Sequence, residues 1–222
     1  MIITKKVRNI LYPTFLVVAY LALMYFYIAY EEQKGLLISL NEITSLNFTI
    51  KFLCDFASSL LPVIVLLVIT AIKKRQIRNL GITSKKPVLI GILFFIYLVM
   101  FFVNGDFTIK GYYTAYFYLI IVAFSEEFIF RGYLFTALER ETGFRGAVAI
   151  SGMLFGAAHS LMPAILYEFT PLEFIISIFS NLIGQGVLMG GIFALLYKKS
   201  NTLFVPVLVH AILDYLNVLF SK

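Results

Sequence analysis

Hydrophobic residues in this chain come in long, nearly unbroken runs, without the alternation of an amphipathic strand or the one-sided stripe of a surface helix. The runs fall at residues 10–30, 52–72, 88–103, 112–138, 146–168, 172–197 and 202–220. A helix crossing the hydrocarbon of a bilayer needs about 20 apolar residues, which is the scale of these runs. A membrane barrel would instead show alternating segments of about ten residues. The pattern predicts an all-α integral membrane protein: a polytopic bundle of about seven transmembrane helices, forming one domain over 1–222.

Composition narrows the class further. Hydrophobic residues make up 61% of the chain and charged residues 14%, against about 45–50% and about 25% in soluble domains, so a soluble globular or disordered protein is excluded. The single cysteine, Cys54, excludes a disulfide framework and a cysteine-rich zinc module. The net charge of +6 does not point to nucleic acid, because the basic residues gather between the apolar runs, where they set topology. With the N-terminus inside, the inner segments carry Lys5, Lys6, Arg8, Lys73, Lys74, Arg75, Arg78, Lys85, Lys86, Arg140, Arg145, Lys198 and Lys199, and the outer ones only Lys34, Lys51, Lys110 and Lys222. The bias places the N-terminus inside and the C-terminus outside. The first run is too long for the core of a signal peptide and reads as a retained membrane anchor.

Ionisable residues inside such runs are expensive, about 2.5–3.5 kcal/mol each at the centre of a helix, and mark function. The fourth run holds Glu126, Glu127 and Arg131; the fifth holds His159; the last holds His210 and Asp214. Glu127 and Arg131 are spaced i,i+4 and can pair, as a structural ion pair. Glu126 lies roughly 100° round the helix and lacks that partner, so it must neutralise, bind a cation or do chemistry. His210 and Asp214 are again i,i+4, so the carboxylate can orient the imidazole. Gly152 and Gly156, then Gly186 and Gly190, form G-x-x-x-G pairs that allow close backbone approach. Asn181 and Gln185 share one face of the sixth helix, where interhelical hydrogen bonding is the plainer reading.

Three ordered motifs now stand together: Glu126-Glu127-x-x-x-Arg131, Phe155-x-x-x-His159 and His210-x-x-x-Asp214, on separate apolar helices. This pattern resembles the CPBP family of CAAX-protease and bacteriocin-processing intramembrane proteases, also called Abi. The resemblance covers about residues 110–220, leaving 1–103 as N-terminal helices without a motif. It implies endopeptidase activity without a covalent intermediate, in a multi-pass protein of the cell membrane. By motif position, Glu126 would be the general base and His159 its partner in holding the attacking water. His210 and Asp214 would complete the polar site, with Glu127, Arg131 and Phe155 supporting. Asparagine is common at the position of Asp214, and an ionised carboxylate cannot donate the hydrogen bond an amide can.

Metal dependence stays open at this level. His159, His210 and Glu126 would supply the three-ligand set of an open catalytic zinc site, but the H-E-x-x-H spacing is absent, and metal-free chemistry is preferred. Substrate candidates are a peptide or membrane-protein segment, lipidated or a bacteriocin precursor, reached from the surrounding lipid. Two rivals use the same residues: a catalytically silent immunity or regulatory protein that binds a peptide, and a proton-coupled transporter. Helix positions predict that His159, near the middle of its helix, converges with His210 and a carboxylate. The expected site is one water-filled cavity toward the cytoplasmic half, enclosed by the fourth to seventh helices.

Overall fold

A computed structural model describes residues 4–72, 77–83 and 85–220, and the described residues contain helices and connecting turns but no strand. Lys73, Lys74, Arg75, Lys222 and the side chain of Arg78, all part of the charge-bias reading, lie outside the described residues. Helix α1 spans Lys5–Gln33, its start capped by the Thr4 hydroxyl accepting from the Val7 amide. It is followed by α2, Phe48–Ile72, and α3, Pro87–Asn104. A helical stretch of 58 residues, Ile109–Leu166, comes next, then Pro171–Ser200 and Phe204–Phe220. Five helices are long and apolar enough to cross a membrane, and Phe204–Phe220 is a shorter apolar one.

The 58-residue stretch is not one rod. Gly143, at φ 72° and ψ 178°, adopts a backbone open only to glycine, and there the chain turns back on itself. Phe130 and Phe155 would stand about 37 Å apart on a straight helix, yet their ring centroids are 5.2 Å apart. We therefore label 109–142 as α4 and 144–158 as α5, followed by the short α6, Leu161–Leu166. Pro171–Ser200 is α7, opened by a Thr170–Glu173 capping box with Pro171 in its first turn, and Phe204–Phe220 is α8.

The centre of the bundle is the second half of α4, where every residue from Phe128 to Phe135 is buried. Around it α5 and α7 approach at backbone distance. A Cβ on Gly152 would lie 2.7 Å from the Gly186 carbonyl oxygen, one on Gly186 2.6 Å from that of Gly152, and one on Gly156 2.7 Å from that of Asn181. The paired G-x-x-x-G motifs are thus the contact surface of these two helices. Asn181 Nδ2 donates to the Ser160 hydroxyl at 2.9 Å, an interhelical tie just past the end of α5.

Two expectations are corrected here. His159 does not lie mid-helix: α5 ends at Ala158 and His159 caps it, because the following turn and α6 redirect the chain. Lys51 is not a solvated outer charge: it is buried within α2, its Nζ 2.7 Å from Asp55 Oδ1 one turn on.

Candidate active site

Helix α4 carries two acidic neighbours at its middle. Ser125–Glu127 form ordinary α-helix, but 117–124 before and 128–135 after are wound more widely, as π-helix, a local geometry common at functional sites. Glu127 points into the packed centre, its side chain 0% exposed. Burial there demands partners, and it has two. Arg131 Nη1 donates to Glu127 Oε1 at 3.0 Å, and His210 Nδ1, from α8, meets the same oxygen at 3.0 Å. Since a carboxylate only accepts, Nδ1 carries the proton and the ring's orientation is fixed.

Aromatic rings finish the cage. The Arg131 guanidinium carbon lies 4.0 Å from the Phe155 ring centroid and 5.2 Å from that of Phe193. The His210 ring stacks on Phe193 with centroids 4.7 Å apart. Phe155 also meets the His159 ring edge-on at 4.7 Å and that of His210 at 6.2 Å, so one phenyl ring contacts both imidazoles. Locked this way, His210 presents Nε2 to Asp214 Oδ2 at 3.4 Å and to Glu126 Oε2 at 3.9 Å. These two carboxylates are the more open members, with side chains 28% and 27% exposed, and Glu126 Oε2 has no hydrogen-bond partner.

His159 reaches the site from the end of α5. Its Nδ1 lies 2.8 Å from the Phe155 carbonyl oxygen, which accepts from Nδ1–H and leaves Nε2 free for other work. Glu126 and His159 line one cavity of about 280 Å³, whose opposite wall belongs to α1 and α2 through residues such as Tyr20, Glu31, Lys51 and Asp55. Three parts of the cavity expectation therefore change. The enclosure includes the N-terminal helices, and His210 and Asp214 stand behind Glu126 instead of lining the cavity. The cavity also extends away from the basic end of the bundle. Asn9 of α1 is tied to Glu141 at that end, at 2.6 Å, whereas Glu31 and Leu37, which line the cavity, lie where α1 stops.

The structure links Glu126, Glu127, Arg131, Phe155, His210 and Asp214 through pairwise contacts centred on Arg131 and His210, and sets His159 beside them on Phe155. It does not gather a metal-ligand set: among the described residues, no three His, Cys, Asp or Glu side chains lie close enough to hold a metal ion. His210 Nδ1 is committed to Glu127, and His159 Nδ1 to a backbone carbonyl. Two roles were missed from the sequence. Glu127 holds His210 as well as Arg131, a link across 83 positions that no local spacing reveals. Phe193, the ring under His210, carries no signal among 23 phenylalanines.

Residues 108–216 match the family described as Type II CAAX prenyl endopeptidase Rce1-like. No curated protein and no solved structure matches the chain. The matched segment, 109 of the chain's 222 residues, contains every side chain of the polar site from Glu126 to Asp214, and over that segment the chain matches the Rce1-like family, in line with the CPBP resemblance of its motifs.

Proposed function

We propose that this protein is a multi-pass endopeptidase of the cell membrane that hydrolyses a membrane-associated peptide with a water activated by Glu126, without a metal ion. The observation that carries the reading is Glu126 itself. It is a carboxylate with one unpartnered oxygen, sharing a cavity with His159 and backed by an imidazole that Glu127 and Arg131 hold in place.

The chemistry follows from those positions. Glu126 takes a proton from water as the oxygen attacks the scissile carbonyl, then passes it to the leaving amine. His159 Nε2 accepts from the water when the ring is neutral and donates to the oxyanion when it is protonated. His210 is a positioning residue: its Nε2 steers the carboxylate of Glu126, and Asp214 shares that nitrogen. Seven crossings with a cytoplasmic N-terminus fit the charge bias and the reversal at Gly143, and they make the cavity extracytoplasmic in reach. An apolar groove of about 420 Å³ between α1 and α2 adjoins the cavity at Tyr20, Met24 and Ser58, which supports a lipidated peptide over a soluble leader as substrate.

The test is cleavage of lipidated peptides by purified protein in liposomes, with fragments identified by mass spectrometry. Glu126→Gln and His159→Ala are each expected to lower turnover by at least about a hundredfold, with the melting temperature unchanged. Turnover near wild type in either variant refutes the assignment.

A further inference from the structure

The wall of the cavity facing Glu126 holds a second buried charged group. Lys51 Nζ lies 2.7 Å from Asp55 Oδ1 and 5.1 Å from the Phe117 ring centroid. Tyr113, from α4, donates to Asp55 Oδ2 at 2.6 Å. Asp55 is thus satisfied on both oxygens, and its charge is cancelled by Lys51. Glu31 is left over. It is 4% exposed, it lines the same cavity, and its Oε1 has no hydrogen-bond partner. Its other close polar neighbours, Tyr27 and Cys54, are neutral donors that can hydrogen-bond a carboxylate but bring no positive charge, and Lys51 is paired with Asp55. One lysine against two carboxylates leaves this end of the cavity one positive charge short. A buried carboxylate in that position must take up a proton or be joined by a cation, and a cationic side chain reaching it would find an acceptor already desolvated.

We propose that Glu31 is a substrate-specificity residue that receives the side chain of a lysine or arginine in the bound peptide. The proposal rests on the protease reading for what the cavity holds. Lysine and arginine side chains fit the wall as well as the charge, because their apolar stems can lie along Met24, Ile28 and Leu37, which line the cavity with Glu31. Geometry also sets the spacing. Tyr20 flanks Glu126, and from Tyr20 to Glu31 the rise of α1 is about 16 Å. An extended peptide covers that distance in about five residues, so the basic residue falls about five positions from the scissile bond. No metal ion is the better occupant: among the described residues, no three ligating side chains converge here.

The experiment separates this reading from the protease reading by measuring retention instead of cleavage. Random dodecapeptides are incubated in detergent with the Glu126→Gln protein, and retained sequences are counted, in parallel with Glu126→Gln/Glu31→Gln and Glu126→Gln/Glu31→Asp. Peptides with lysine or arginine are expected to be enriched at least about tenfold by the first protein. The enrichment should disappear with Glu31→Gln and persist in part with Glu31→Asp, which keeps the charge. Glu31→Gln should leave the melting temperature unchanged or raise it, since it removes an unopposed charge. Equal retention of basic peptides with and without Glu31, or retention of no peptide, overturns the proposal. So does a fall in melting temperature with unaltered retention, which makes Glu31 structural. Cleavage by the protein with Glu126 intact is scored separately: its absence refutes the protease and leaves the retention result standing.

Discussion

Replacing Arg131 by alanine tests the centre of the site. The guanidinium is 1% exposed, donates at 3.0 Å to a carboxylate that is 0% exposed, and lies 4.0 Å from the Phe155 ring centroid. Breaking a buried ion pair from one side costs about 3–5 kcal/mol, because the remaining charge is uncompensated. The lost contact with Phe155 adds about 2 kcal/mol in a desolvated setting. Arg131→Ala is therefore expected to lose about 5 kcal/mol or more. Glu127→Gln on that background removes the orphaned charge while its side-chain carbonyl still accepts from His210 Nδ1–H. About 3 kcal/mol should return, leaving the double variant more stable than Arg131→Ala alone. Detergent-unfolding curves on the four proteins of this cycle measure the coupling directly. The chain has no tryptophan, but its one cysteine, Cys54, is buried, so a thiol-reactive fluorophore reports unfolding. Additive effects, with a coupling below about 0.5 kcal/mol, would refute the claim that Arg131 serves to compensate Glu127.

Two further outcomes follow from the packing. Gly186→Ala places a methyl carbon 2.6 Å from a backbone oxygen of α5 and 3.4 Å from one of α7; neither can swing aside as a side chain would, so a loss of about 3 kcal/mol is expected in the same unfolding assay, and a value below about 1 kcal/mol would mean the two helices do not meet there. Asp214→Asn should keep at least about a tenth of wild-type turnover, since the amide still reaches His210 Nε2 and can both donate and accept; complete loss would show that the negative charge itself is required.

The apolar runs made the helical class and its rough limits legible, because membrane crossing is a matter of length and composition. The i,i+4 spacing of Glu127 and Arg131 likewise foretold their ion pair. Other features depended on tertiary placement. The helix bearing His159 stops at that residue because the chain turns afterwards, although its apolar run continues through Pro163. Lys51 looked like one more flanking charge, yet its spacing to Asp55 was the same i,i+4 signal used elsewhere and would have paired them. Glu127 to His210, and Glu31 to the cavity of Glu126, join helices far apart in sequence, and no local pattern encodes such pairings.

The oxygen of Glu127 shared by Arg131 and His210 has a consequence for how silent relatives of such a protein arise. These three residues hold the bundle's centre together, so a descendant that lost one of them alone would lose much of its stability. Glu126 and His159 carry no such burden. On the proposed mechanism, two substitutions at the cavity wall would suffice to turn the enzyme into a receptor that still engages peptides and no longer cuts them. In a new sequence of this type, the buried triad thus marks the scaffold, and, on the proposed mechanism, the two cavity residues would distinguish a working protease from a decoy.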